Sequence, residues 1–107
     1  MHTALGPGLV ESVYRKCLCY ELTRHGLRVA LEKPVQILYD GINMGTGLRL
    51  DLLVEDLVIV EVKAVEKMLE VYQSQLLSYL KLRNVRTGLL INFNVRHLRH
   101  GIQRFVR

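Results

Sequence analysis

Residues Leu57 to Val62 read Leu-Val-Ile-Val-Glu-Val, apolar at nearly every position. A strand with only one face in the core alternates apolar and polar residues, so a run like this belongs at the centre of a sheet covered on both faces. Covering both faces requires helices before and after it. That single segment narrows the chain to a mixed or parallel sheet flanked by helices, an α/β or α+β arrangement.

The flanking sequence supplies those elements. Gly6-Pro7-Gly8 is a stop-and-start signal, and a helix is expected from Leu9 to His25, ended by Gly26. Its apolar stripe is Val10, Val13, Tyr14, Cys17, Leu18 and Leu22. The period then changes. Val29, Leu31, Val35, Ile37 and Tyr39 alternate like a strand, Pro34 marks an edge or a bulge, and Asp40-Gly41 is a turn dipeptide. A second strand is expected over Thr46 to Val54, and Glu55-Asp56 turns the chain into the third, Leu57 to Val62. A second helix covers Glu70 to Leu82, with Leu69, Tyr72, Leu76, Leu77 and Leu80 on its apolar side and Asn84 as its stop. Thr87 to Phe93 is another strand apolar on both faces, and Leu98 to Val106 is expected as a last strand. At 107 residues, with half of them hydrophobic, the chain reads as one domain spanning residues 1–107 with a packed core.

Glu61 and Lys63 are two apart on the central strand and therefore share a face. Charges in such a strand are costly unless they pair or meet a metal. Symmetric pairing about Glu55-Asp56 brings Asp51 close to Val60 and Glu61, so two carboxylates converge and call for a cation. Mg²⁺ suits them because it binds through one or two carboxylates and keeps waters for chemistry. The Val62 carbonyl is a further candidate oxygen ligand, and Lys63 would stand beside the metal to orient a water or offset charge on a phosphate. The competing reading is a strand end where Glu61 and Lys63 reach water or pair with each other. Gln75, between Tyr72 and Tyr79, and Glu11, three before Tyr14, are candidate additions to the set.

The net charge is +5, which favours polyanions, nucleic acid first. Arg96, Arg99, Arg104 and Arg107 make a basic tail that either touches phosphates or is a solvated edge. His97 and His100 lack acidic or thiol partners nearby and read as surface. Cys17 and Cys19 point different ways on a helix, do not pair, and suit a reducing cytosol. With no signal peptide at the start and no apolar run near the length of a membrane span, a cytoplasmic location is expected.

These segments, in order, resemble the GxxExxY protein family, a branch of the PD-(D/E)XK nuclease superfamily. The naming motif is Gly8-Leu9-Val10-Glu11-Ser12-Val13-Tyr14. Tyr39 to Val54 resembles the family's hairpin, with Gly41, Gly45, Arg49 and Asp51 in place. Ile59 to Ala64 resembles its E-x-K strand, Gln75 to Leu80 its Q-x-x-x-Y helix, and Gly88 to Phe93 the strand that follows. The likeness spans nearly the whole chain. It implies a restriction-endonuclease-like α-β-β-β-α-β core. It implies Asp51 and Glu61 as metal ligands, Lys63 as catalytic lysine, Gln75 as support from its helix, and Glu11 as a helix-one acid assisting a metal or water. Gly8, Tyr14 and Tyr79 are the family's structural motif positions. The implied activity is hydrolysis of nucleic-acid phosphodiesters, DNA favoured, with Mg²⁺ and with Mn²⁺ as substitute. Arg49, Arg96, Arg99 and Arg104 are the expected nucleic-acid contacts, and a homodimer would suit cutting of two strands. The alternatives are a nucleic-acid-binding module without turnover and a protein-interaction subunit whose polar cluster is structural.

Overall fold

The computed structural model describes residues 1–107. The elements run α1 (His2–Leu5), α2 (Glu11–Arg24), β1 (Val29–Val35), β2 (Leu38–Tyr39), β3 (Ile42–Asn43), β4 (Leu48–Val54), β5 (Val58–Lys63), α3 (Glu70–Arg83), β6 (Thr87–Asn92), a 3₁₀ turn (Leu98–Gly101) and β7 (Ile102–Val106). Five strands form a mixed sheet in the order β1-β4-β5-β6-β7. β5 and β6 are parallel and joined across α3, and the other neighbours are antiparallel. The fold is a mixed α+β sheet flanked by helices, of the restriction-endonuclease-like kind. No helix is long and apolar enough to cross a membrane.

β5 is central, as its composition requires. Its Ile59 packs toward α3 with Leu50, Leu53, Leu76, Leu80 and Leu90, whereas Val60 and Val62 pack toward α2 with Tyr14, Leu52, Ile91 and Phe93. Each fully buried aliphatic side chain in these layers stabilises the fold by about 1.5–3 kcal/mol. Gly88 sets how closely α3 lies on the sheet: a Cβ there would stand 2.8 Å from Leu76 Cδ1. α3 ends at Asn84 in the left-handed region, a conformation asparagine tolerates.

Several expectations change, among them Leu69 and Leu77, which are exposed and not on the inward side of α3. The apolar alternation of Val35, Ile37 and Tyr39 continues in sequence, but the chain leaves the main sheet after Val35. Ile37 to Gly45 instead forms a small arm, β2 against β3, turning at Asp40 and Gly41, both with positive φ as a tight hairpin turn demands. The expected strand from Leu98 begins only at Ile102. Its first part is a 3₁₀ turn that ends at Gly101, where a Cβ would collide with the Asn92 carbonyl. On α2, Val10 and Val13 are exposed, and the inward side is carried by Tyr14, Leu18, Cys19 and Leu22. Pro34 lies on β1, an edge strand, where its missing N–H costs no ladder bond.

The Gly6-Pro7-Gly8 segment is fastened by Tyr14. Its hydroxyl donates to the Gly6 carbonyl and accepts from the Leu9 N–H at 3.1 Å, while the ring stacks on Phe93 with centroids 4.7 Å apart. Gly8 has φ +102, open to glycine and costly for other residues. The spacing of Gly8 and Tyr14 is thus a loop and the tyrosine that ties it down.

Candidate active site

The antiparallel ladder of β4 and β5 runs Val54–Val58, Leu53–Ile59, Leu52–Val60 and stops. The next pair in that register is Asp51 and Glu61, so the sequence-based pairing about the Glu55-Asp56 turn leads to the same two carboxylates. The ladder stops because Asp51 uses its side chain where a backbone carbonyl would serve: Oδ2 accepts the Val62 N–H at 2.8 Å. On the other side of β4, Glu32 and Asp51 lie unbridged between the bridged pairs Leu31–Leu52 and Lys33–Leu50, and Glu32 has φ +53. The pleat slips there. Leu48 and Leu50 face α3, Leu52 and Val54 face α2, and Leu53 faces α3 again. The slip places Asp51 at a parting between strands, open to both β1 and β5.

Glu61 is 5 % exposed, and its Oε1 meets no hydrogen-bond donor. Burial pushes its carboxyl up to about 9, followed by hydrogen-bonding reach to the Asp51 side chain and by the Asp51 charge, with Lys63 opposing. Two carboxyls in such reach form a hydrogen bond only when one holds a proton or a cation replaces it. Lys63 makes no ion pair within 4 Å. Its Nζ lies 4.5 Å from the centre of the Tyr72 ring on α3, which rules out the simple reading in which Glu61 and Lys63 satisfy each other.

Tyr79, buried on α3, looks onto the same carboxylates. Its hydroxyl is pushed up by burial first and then by the charges of Glu61 and Asp51, and the nearby Gln75 side chain opposes this. Gln75 itself is exposed. Glu11, half-buried at the start of α2, is not joined to the pair: no group of three or more His, Cys, Asp and Glu side chains converges anywhere in the chain. Arg49 is exposed on β4, opposite Pro34, and Arg104 is exposed on β7, opposite Leu89. Arg96 and Arg99 stand apart from both, around the 3₁₀ turn.

Two residues that composition and spacing passed over belong to this neighbourhood. Arg15 of α2 reaches Glu32 at 3.4 Å and Asp51 at 3.9 Å, with its Nε buried and unpartnered. Asn92, 3 % exposed at the end of β6, accepts from the N–H groups of Val65 and Asn94 and donates to the Val65 carbonyl. It pins the segment leaving Lys63. A polar residue ending an apolar strand was the only sequence signal for Asn92. Arg15 had none, because its partners are distant in the chain.

This constellation fits a divalent cation. A buried carboxylate oxygen lacks a donor, a second carboxylate is in reach, and one oxygen of that second carboxylate is fixed by the Val62 N–H. The N–H and C=O of one strand residue point to the same neighbour, so the Val62 carbonyl also faces β4. With only two carboxylates, a divalent cation would keep several waters among its ligands.

A model of the PD-(D/E)XK nuclease superfamily matches residues 1–105. The chain belongs to that superfamily. No curated protein and no solved structure matches it significantly. In this PD-(D/E)XK nuclease-family chain, Glu61-Val62-Lys63 has the (D/E)-X-K pattern, and the residue before Asp51 is Leu50 and not a proline. Leu50 is fully buried in the layer under α3, so the position is used for packing.

Proposed function

We propose that the protein is a metal-dependent nuclease, of the GxxExxY kind, that hydrolyses phosphodiester bonds of nucleic acid, DNA favoured. The observation that carries this reading is the buried Glu61 carboxyl, with one oxygen that meets no donor, beside the half-buried Asp51 carboxylate, with Lys63 two residues on. Asp51, Glu61 and the Val62 carbonyl would hold Mg²⁺, with Mn²⁺ able to replace it. Bound there, the cation would polarise the scissile phosphate and acidify a water. Asp51 is oriented by the Val62 N–H at 2.8 Å and faces the Arg15 guanidinium at 3.9 Å. To hold the cation, Glu61 would release the proton that burial favours. Lys63, held against Tyr72, supplies a mobile positive charge to the attacking water or the phosphate oxygens. Gln75 and Tyr79 fix the wall opposite the carboxylates. Glu11 assists only through water, from the start of α2. A homodimer would supply two such sites for the two strands of a duplex, and a cytoplasmic location accords with two free thiols.

The test is cleavage of a panel of single-stranded, duplex, flapped and branched DNA and of RNA, in Mg²⁺ or Mn²⁺. Activity is expected to vanish in Glu61→Ala, in Lys63→Ala and in chelator, with Lys63→Ala keeping the wild-type fold by circular dichroism. Cleavage retained by Lys63→Ala would sink the mechanism. The competing reading, a binding module without turnover, draws on the basic C-terminal third of the chain. It predicts salt-sensitive binding with no cleavage on any substrate.

A further inference from the structure

From Val71 to Arg107 the chain has seven Lys and Arg and no Asp or Glu. Two of those arginines, Arg96 and Arg99, line an open groove of about 780 Å³ together with His2, Thr3 and His97. That volume falls within the range of small-ligand sites. No carboxylate lines the groove, and neither arginine has an acidic partner within 4 Å, in contrast to Arg15, Arg24 and Arg28. Arginines without partners facing a polar concavity are matched to phosphate, whose oxygens accept paired N–H bonds from a guanidinium.

The groove is tied to the strand that carries Glu61 and Lys63. His2 Nε2 donates to the Phe93 carbonyl at 3.0 Å, and the Phe93 N–H donates to the Lys63 carbonyl at 2.8 Å. Phe93 is itself stacked on Tyr14. The groove is therefore two hydrogen bonds from the end of β5, at the carboxyl edge of the parallel pair β5–β6.

We propose that this groove is a second nucleic-acid contact, outside the carboxylate site. It takes the phosphate backbone flanking the scissile bond on Arg96 and Arg99, with His2 and His97 beside them. The inference rests on the nuclease reading for its ligand class but not on turnover. Because the groove lies off the carboxylates, its contribution to affinity persists without metal, and it sets the direction in which a strand runs across the site.

Fluorescence anisotropy of a labelled 20-nucleotide single strand and its duplex, titrated with KCl in chelator, tests this. Arg96→Gln/Arg99→Gln should weaken binding at low salt by about tenfold or more and make the slope of log affinity against log salt shallower by roughly 1.4 for the single strand and 1.8 for the duplex. Lys16→Gln/Lys81→Gln, with the same loss of net charge, should change the slope far less. The arginines are exposed and unpartnered, so the variant should melt with the wild type, and Arg99→Glu alone should weaken binding more than Arg99→Gln. An unchanged slope, equal losses in the two double variants, or no binding by the wild type at low salt would overturn the groove. The two readings fail separately: absent cleavage with binding that still needs Arg96 and Arg99 removes the hydrolase, and Mg²⁺-dependent cleavage indifferent to those arginines removes the groove.

Discussion

Replacing Glu61 by Gln should stabilise the metal-free protein, and the amount can be worked from the site. In the folded chain the Glu61 carboxyl keeps its proton up to about 9, against an ordinary value of 4.5. The unfolded chain releases that proton from about 4.5 upward, so over the interval to 9 folding requires holding a proton that water would remove. The group's contribution to stability is thus intact below 4.5 and declines as pH rises toward 9. At ~1.36 kcal/mol per pH unit, the loss at pH 7.5 is on the order of 4 kcal/mol. The Gln variant keeps the shape, stays neutral at every pH and can donate to Asp51, so it escapes the loss. For a domain of this size, the melting temperature in chelator should rise by roughly 15 °C at pH 7.5. The gain should shrink to nothing near pH 4.5. Added Mg²⁺ should stabilise the wild type and leave the variant unmoved. Melting by circular dichroism across pH 4.5 to 8.5 is sufficient. A variant that melts at or below the wild type at pH 7.5, or a gain that does not vary with pH, would refute the view of Glu61 as an acid held for a cation.

Other perturbations follow from the same contacts. Arg15→Gln leaves Asp51 and Glu32 without their shared cation and should cost about 1 kcal/mol in chelator, recovered on adding Mg²⁺, as read by thermal melts with and without metal. Tyr14→Phe deletes the hydroxyl that holds Gly6 and Leu9, and should cost about 1–2 kcal/mol and expose the Gly6-Pro7-Gly8 loop to protease, as read by limited digestion. Gly88→Ala drives a methyl into Leu76 and should cost about 1–3 kcal/mol in urea unfolding, with α3 displaced and cleavage reduced along with stability.

Much of this layout was legible from short-range rules. The both-faces-apolar run at Leu57 to Val62 and the turn at Glu55-Asp56 sufficed to place a central strand and to bring Asp51 up to Glu61, because hairpin pairing is fixed by the turn. What escaped reading depends on contacts between distant residues. The alternation of Val35, Ile37 and Tyr39 is the same in a strand that stays in the sheet and in one that peels off as an arm. Only the lack of a partner beyond Val35 distinguishes them. The pleat slip at Glu32 and Asp51 conserves register on both strands, so no extra residue betrays it. The 3₁₀ turn at Leu98 ends at Gly101, which lies too close to Asn92, nine residues earlier, to carry a side chain. Arg15 is one base on an amphipathic helix until β1 and β4 are folded beneath it. Glu11, by contrast, is conspicuous in the motif yet lies apart from the carboxylate pair.

The hydrogen bond from the Val62 amide to Asp51 makes one proton a witness to the state of the site. A backbone carbonyl in that position would hold the amide at constant strength whatever happened nearby. A carboxylate shared with a cation divides its electron density between two claimants, so the resonance and the solvent-exchange rate of the Val62 N–H should report metal arrival directly. A single ¹⁵N-labelled sample would thereby count occupied sites without any substrate being cut.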